Sequence, residues 1–313
     1  MKENPSTPKI SVIINCFNGE KFLRETLESL FHQTFCDFEL VFWDNRSTDQ
    51  SAKILGQFED PRTRYFLAPD FTTLGEARNL ALRHARGTWT AFLDCDDIWK
   101  STKLAEQMGV VDQDSDPNQI GLVYTRTLCL GGPRDGLEIQ PELTSKPLPE
   151  GRIIKEYLHR ENFIALSSAM MRTQILREIG GIPAHFRQSE DFYIFAKIAS
   201  RSIVRAVNAT LTLYRVHSNN LTITQQYEGY AEQKATIEAC IRDLPELGAT
   251  PSIQAKSARL SVYACWFAII KKHSLTLAVK HAIKPSLWRF AGALRQEIGT
   301  RWTRALKQSK AIP

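Results

Sequence analysis

An α/β fold built on a mostly parallel sheet is the fold class that the sequence predicts. Over the first hundred residues, short β-branched or aromatic runs alternate with segments whose apolar residues recur at helical spacing. This alternation is typical of parallel strands in one sheet with helices packed on both faces. The composition, 43% hydrophobic and 24% charged residues, is that of a folded protein. A chain of 313 residues can form one large domain or two modest ones.

Four strands and three helices are predicted in order along this region. ISVIIN, within residues 9–15, is a β-branched run typical of a buried strand. The next helix is indicated by the apolar spacing of Phe22, Leu23, Leu27 and Leu30. The later segments follow the same two patterns. Strands are predicted over 9–15, 38–43, 64–67 and 88–93, and helices over 18–33, 48–58 and 75–85.

The second half of the chain is less regular. Residues 112–151 are rich in Pro, Gly and Asp, which favours an irregular segment around one further strand. Further strands are predicted over 120–126, 203–207 and 210–216, and short helices over 151–158, 173–179 and 190–199. Beyond residue 225 the pattern is helical and basic. We therefore predict an α/β domain over 1–224 and a basic α-helical extension over 225–313.

Polar residues follow three of the predicted strands. They are the segments Asn15–Asn18, Asp44–Ser47 and Asp94–Asp97. Ligands of open parallel sheets bind beyond the carboxyl ends of the strands, so we expect these segments to converge on one site. Strand alternation predicts that Asp94 and Asp96 point to the same side, where they could share Mg²⁺ or Mn²⁺. Asp and Asn are also common turn residues, which is the alternative for any single segment.

Two long stretches resemble the opening of family 2 glycosyltransferases, which have the GT-A fold. They read ISVIINCFNGEKFLRETLESLFHQTFCDFELVFWDNRSTD and GEARNLALRHARGTWTAFLDCDDIW. Later segments, GGIPAHFRQSEDFYIFAKIA and LYRVHSNN, are similar to the acceptor-side motifs of that family. The resemblance covers residues 9–221, about two-thirds of the chain, in matching order and spacing. It implies a GT-A nucleotide-diphospho-sugar transferase domain.

The resemblance implies a role for each matching residue. On the donor side, Asp44 would bond the base, with Phe17 and Asn18 lining its pocket, and Arg78 and Asn79 would contact the donor. Asp94 would bind the ribose or sugar. The metal would be held by Asp96 and His217, and Asp191 would be the catalytic base with Glu190 beside it. A carboxylate at the start of a helix is also an ordinary helix-end acid, and a lone histidine is more often a packing residue.

The implied reaction is transfer of a hexose from a nucleotide diphosphate sugar, with UDP favoured, to a hydroxyl of a glycan or lipid-linked acceptor, with inversion. The resemblance also suggests cell-surface polysaccharide synthesis as the setting. Asn15, Phe17 and Asn45-Arg46 depart from the family's usual Pro, Tyr and Asp-Gly, so these positions leave the base and sugar open. The alternatives are a nucleotidyltransferase, although NCFNGEKF lacks a glycine- and lysine-rich phosphate loop, and a non-catalytic glycan-binding protein on a transferase scaffold.

The charge of residues 251–313 and the composition of residues 1–9 bear on where the protein acts in the cell. Residues 251–313 carry twelve Lys or Arg and one acid, Glu297. Basic helices with apolar faces bind anionic membrane surfaces, and packing on the catalytic domain is the equal alternative. No nucleic-acid motif accompanies the charge, so no nucleic-acid partner is expected. With no apolar leader at residues 1–9 and no membrane-length apolar run, we predict a cytoplasmic protein, peripheral at the inner face of the cell membrane.

Overall fold

The computed structural model describes residues 7–139, 143–144, 146–160, 162–186, 188–220, 226–244, 250, 253–254 and 256–261. The chain divides into two compact units, residues 1–220 and 221–313. The first holds the sheet, and the second includes one long helix. No helix in the described ranges combines the length and apolar character that crossing a membrane requires. The prediction that 251–313 binds membrane falls almost entirely outside the described residues.

An eight-stranded mixed sheet forms the centre of the first unit. Its strands are β1 Ile10–Cys16, β2 Phe38–Asp44, β3 Thr63–Leu67, β4 Trp89–Phe92, β5 Ile98–Trp99, β6 Ile120–Leu130, β7 Met170–Arg172 and β8 Ile203–Arg215. Their order across the sheet is β3-β2-β1-β4-β7-β6-β8-β5. The four strands from β3 to β4 are parallel, β7 runs antiparallel to both its neighbours, and β6 and β8 are parallel. The predicted α/β fold with a mostly parallel sheet is confirmed.

Helices pack against the sheet. They are α1 Leu23–Phe31, α2 Ser51–Leu55, α3 Leu74–His84, α4 Lys103–Gln113, α5 Ile154–His159, α6 Thr173–Glu178 and α7 Glu190–Arg201, with α8 Gln226–Asp243 in the second unit. The central strands β1 and β2 are buried almost throughout, as continuous apolar runs between two helical layers should be. Because β1, β2 and β4 are parallel, their carboxyl ends meet at one edge of the sheet.

The observed elements depart from the predicted ones at a few places. The first helix begins at Leu23 rather than at residue 18, because Asn18 takes a left-handed backbone conformation with φ of 54°. The helix α4 and the short strands β5 and β7 were not predicted. Residues 203–215 form one long strand, where two were expected.

Candidate active site

The acid segment after β4 forms a tight turn at the carboxyl edge of the sheet. β4 ends at Phe92, and the Asp97 amide donates to the Asp94 carbonyl at 3.0 Å. The expectation that strand alternation aligns Asp94 with Asp96 is therefore wrong, because both lie in a turn. The turn nevertheless brings them close enough for the Asp94 charge to act on Asp96.

Residues distant in sequence hold this turn in place. The Asp94 amide donates to Ser167 Oγ at 3.2 Å, and the Arg215 amide donates to Asp97 Oδ1 at 2.9 Å. Arg215 also donates from Nε to the Asp96 carbonyl at 2.8 Å. The loop before β7 and the end of β8 thus fix the position of the acids. Ser167 and Arg215 were not predicted: no motif marks Ser167, and Arg215 lies in LYRVHSNN, where only His217 was given a role.

The predicted metal pair, Asp96 and His217, lies in direct contact. The distance from His217 Nε2 to Asp96 Oδ2 is 2.9 Å. Burial, and then the charge of Asp94, raise the pKa of Asp96, while His217 opposes this shift. Burial and the same neighbouring acids raise the pKa of Asp97 well above its usual range. Negative charge is crowded here, so an added cation would stabilise the charged forms.

The donor set fits a hard divalent cation that shares its coordination with substrate phosphates. No group of three or more metal-binding side chains occurs in the part of the chain that the structure describes. Mg²⁺ and Mn²⁺ are commonly held by one or two carboxylates together with phosphate oxygens, so a complete protein cage is unnecessary. Asp96, with His217 against it and Asp94 nearby, meets that requirement.

Arg78 links the acid turn to the start of α7. It projects from α3, is only 4% exposed, and donates to Asp94 Oδ1 at 2.8 Å. Its other terminal nitrogen donates to Glu190, the first residue of α7. A buried guanidinium needs such acceptors, and removal of one partner of a buried pair is strongly destabilising. Arg78 therefore ties Asp94 and Glu190 into one rigid unit.

Asp191 lies next to this unit with a strongly altered proton affinity. Its Oδ2 accepts a hydrogen bond from Asn162 Nδ2 at 2.9 Å. Burial, and then the charge of Glu190, raise its pKa to about 7, although Arg78 acts in the opposite direction. A carboxylate whose pKa lies near neutrality can accept a proton efficiently from a bound hydroxyl. Asn162 was missed from the sequence, because a single Asn in a loop has no distinguishing pattern.

Asp44 and two aromatic rings line the far side of the same edge. Asp44 is the last residue of β2, and its carboxylate accepts from the Ser47 amide at 2.7 Å and from the Tyr65 hydroxyl at 2.9 Å. Phe17 is 49% exposed and packs against Phe71, which is 62% exposed, with ring centroids 4.7 Å apart. Two exposed aromatic rings in contact offer a surface for a planar base. Phe71 was not predicted.

The two predicted donor-binding asparagines hold loops together. Asn18 Oδ1 accepts from the Thr48 amide at 2.8 Å, which joins the loops after β1 and β2. Asn79 pairs with both backbone groups of Ile182, donating to its carbonyl at 2.5 Å and accepting from its amide at 2.8 Å. Asn79 therefore anchors the loop that leads to α7. Both atoms of the Asn79 side-chain amide are thus bonded to the backbone.

Some buried polar atoms near the ends of β1 and β2 have no hydrogen-bond partner among the described residues. Neither amide atom of Asn15 has a hydrogen-bond partner among the described residues, and the same is true of Trp43 Nε1. The two residues are register partners on adjacent strands. Buried polar groups are nearly always satisfied in native proteins, so these atoms mark a place for a water molecule or a polar ligand group.

Comparison with known proteins identifies the family. The model of the family described as glycosyl transferase family 2 matches residues 11–180, more than half of the chain. The chain belongs to glycosyl transferase family 2. It is a glycosyltransferase, as the resemblance implied, and neither a nucleotidyltransferase nor a non-catalytic binding protein.

Two relatives of the transferase act, by description, on a lipid-linked sugar. It is 32% identical over 215 residues to WfgD of Escherichia coli, a UDP-Glc:alpha-D-GlcNAc-diphosphoundecaprenol beta-1,3-glucosyltransferase, covering 68% of this chain and 79% of the relative. WfaP of Escherichia coli, described by the same activity, is 26% identical over 214 residues with the same coverage. A teichuronic acid biosynthesis glycosyltransferase described as putative, TuaG of Bacillus subtilis, is 36% identical over 103 residues, which are 32% of this chain and 41% of the relative.

Solved structures share the fold. TarS of S. aureus in complex with UDP-GlcNAc superposes with a TM-score of 0.60 at 20% identity, covering 91% of this chain and 79% of that one. The mannosyltransferase PcManGT of Pyrobaculum calidifontis in complex with GDP-Man and Mn²⁺ gives a TM-score of 0.62 at 19% identity, covering 95% and 81%. These likenesses establish the GT-A fold of the transferase.

Proposed function

We propose that this transferase moves a hexose from a UDP-sugar to a hydroxyl of a lipid-linked or glycan acceptor, with inversion, in the synthesis of a cell-surface polysaccharide. The observation that carries the proposal is the connected unit of Arg78, Asp94, Glu190 and Asp191. It joins a donor-side carboxylate to a proton-accepting carboxylate within one buried network. Donor and acceptor would meet on its two sides.

The donor side is defined by the edge that runs from Asp44 to Asp96. Asp44 would accept from the base, Phe17 and Phe71 would stack on it, and Asp94 would bond the ribose or the sugar. The relatives WfgD and WfaP use UDP-glucose by description, and UDP-GlcNAc is bound by the structural neighbour TarS, so uracil is the favoured base. The departures at Asn15 and Phe17 lie at this edge, where they can adapt the pocket to the particular donor.

The acceptor side is defined by α7. Asp191 would take the proton from the acceptor hydroxyl as that oxygen attacks the anomeric carbon. Attack from the face opposite the leaving diphosphate gives a single displacement and inverts the anomeric configuration. Glu190 stays paired with Arg78, so its charge raises the pKa of Asp191 and keeps the base poised. The lipid-diphosphate acceptors of WfgD and WfaP favour an acceptor of that class.

A divalent cation, Mg²⁺ or Mn²⁺, would be held by Asp96 and His217. When bound, it would supply Lewis-acid stabilisation of the leaving diphosphate. Two contacts support this assignment: Arg215 donates to the Asp96 carbonyl, and His217 contacts the Asp96 carboxylate. The structural neighbour PcManGT contains Mn²⁺ together with its nucleotide sugar.

The metal proposal is tested by calorimetric titration of UDP with Mn²⁺ into the full chain. We expect Asp96→Ala to lose at least about tenfold in UDP affinity when Mn²⁺ is present, and to be unaffected when it is absent. Asp112→Ala, an exposed acid on α4, is the matched control and should bind as the parent does. Parent-like, Mn²⁺-dependent binding by Asp96→Ala would remove this residue from the metal site.

A further inference from the structure

Two cysteines stand side by side beneath the acid turn. Cys16 is the last residue of β1, and Cys95 lies between Asp94 and Asp96. The register of β1 and β4 pairs Ile13 with Phe92, the last residue of β4, and the Leu93 amide donates to the Ile13 carbonyl at 3.0 Å. The chain then enters the acid turn, so Cys95 reaches Cys16 from that turn and not as a strand partner.

Gly19 locates the two sulfur atoms. A Cβ placed on this glycine would lie 2.9 Å from Cys16 Sγ and 3.1 Å from Cys95 Sγ. Both sulfurs therefore lie within 3.1 Å of one point, and the two thiols interact directly. Any larger residue at position 19 would intrude on that space. The glycine thus leaves room for a thiol pair that no step of the proposed transfer uses.

The two thiols differ in access. Both are free, Cys16 is fully buried, and Cys95 is partly exposed at the edge where the donor would bind. We propose that Cys16 and Cys95 are a disulfide-forming pair, oxidised by low-molecular-weight disulfides, and that the bond between them weakens metal-dependent donor binding. The second half of this statement rests on the proposed function, and the first half does not.

The oxidation has two exchange steps. The sulfur of Cys95, the accessible one, attacks one sulfur of a disulfide such as oxidised glutathione, and one glutathione thiol leaves. Cys16 then attacks the Cys95 sulfur, the Cys16–Cys95 bond forms, and the second glutathione thiol leaves. The protein loses two electrons and two protons, and the oxidant gains them. A reducing thiol reverses both steps.

The Cys16–Cys95 bond would affect the acid turn because Cys95 is part of it. Forming the bond draws the two sulfurs to about 2.05 Å, and we expect this to displace Cys95 and the turn residues that flank it. Those flanking residues are Asp94, bonded to Arg78, and Asp96, in contact with His217. Metal sites tolerate displacements of only about 0.5 Å. We therefore expect oxidation to lower donor affinity in the presence of Mn²⁺ by at least about tenfold, with recovery on reduction.

Peptide mapping tests the bond without any need for donor binding. Tryptic cleavage leaves each of the six cysteines in a separate peptide, with Cys16 in residues 10–21 and Cys95 in residues 87–100. The native full-length chain is treated with oxidised glutathione, its remaining thiols are alkylated, and the digest is analysed by mass spectrometry. We expect 10–21 linked to 87–100. Recovery of these peptides only as alkylated thiols or as separate glutathione adducts would overturn the pair.

Variants separate this bond from general oxidation. Cys36→Ser removes the exposed thiol of residue 36 and should leave the link and its effect unchanged, whereas Cys95→Ala should abolish both. UDP titrations with Mn²⁺ on reduced, oxidised and re-reduced parent then measure the consequence. Equal affinity of linked and reduced parent would overturn the regulatory half. A reduced parent that binds no nucleotide would instead refute the proposed function, with the peptide link still decided by mapping.

Discussion

Replacing Asp191 by Asn should make the enzyme more stable and nearly inactive at the same time. The shape of the side chain is kept, and its oxygen can still accept from Asn162. A pKa raised from 3.8 to about 7 means that burial and the Glu190 charge penalise the ionised form of Asp191. At about 1.4 kcal/mol for each pH unit, and with some screening by solvent, that penalty is about 2–4 kcal/mol.

The pH dependence of stability follows from the protonation of Asp191 in the folded and the unfolded chain. Below about pH 4 both folded and unfolded chains keep the Asp191 proton, so the penalty is absent. Between about pH 4 and pH 7 the unfolded chain releases this proton and the folded chain retains it, so stability falls as pH rises. The full penalty is present above the folded pKa. Asp191→Asn carries no charge, so its advantage over the parent should grow from near zero at about pH 4 to about 2–4 kcal/mol at about pH 8.

Two assays on the same preparations check this prediction. Urea unfolding of parent and variant at about pH 4 and about pH 8 gives the stability gap, and turnover should fall by about 10²–10⁴ in the variant. Parent turnover should rise as pH passes through about 7, because the base must be ionised. Glu190→Gln is the contrast: it strips a partner from buried Arg78, so it should destabilise at neutral pH. A pH-independent gap, or an active Asp191→Asn, would refute this role of Asp191.

Three further outcomes are expected. Asp44→Ala should weaken UDP binding by about 1–3 kcal/mol by calorimetry, since a base hydrogen bond is lost, and an unchanged affinity would take it out of the base pocket. Ser167→Ala should weaken Mn²⁺-dependent UDP binding about tenfold with little effect on binding without metal, because Ser167 Oγ holds the Asp94 amide at the start of the turn that carries Asp96; equal losses in both titrations would mean a merely structural role. Truncation after residue 224 should abolish sedimentation with acidic liposomes, and salt should weaken binding by the full chain; equal sedimentation of both would defeat the membrane role of 251–313.

The parallel half of the sheet could be predicted because its signal is local. ISVIIN and the other runs are short, apolar and β-branched or aromatic, and that pattern sets both the strand and its burial. α4 carries a comparable signal, with Leu104, Met108 and Val111 on one buried face. The spacing of these residues alone is sufficient to predict this helix.

Some site residues could also be predicted from local sequence, and others could not. Asp44, Asp94 and Asp96 stand directly after predicted strands, so topology alone brings them to one edge. Ser167 and Asn162 reach that edge from loops about 70 residues later in the chain than Asp94, and only tertiary structure shows their partners. The pKa of Asp191 depends on burial and on the charge of Glu190, which is paired with Arg78. No pattern in the sequence encodes those distances.

A thermal-shift screen of the full chain tests for a UDP-sugar site at the carboxyl edge of the sheet. UDP-, GDP-, dTDP- and CMP-sugars are compared with and without Mn²⁺, because a ligand that binds the folded state raises its melting temperature by mass action. We expect the largest rise with a UDP-sugar, dependent on Mn²⁺ and lost in Asp96→Ala. A larger rise with another base, or a UDP-sugar response that ignores both Mn²⁺ and Asp96, would contradict it.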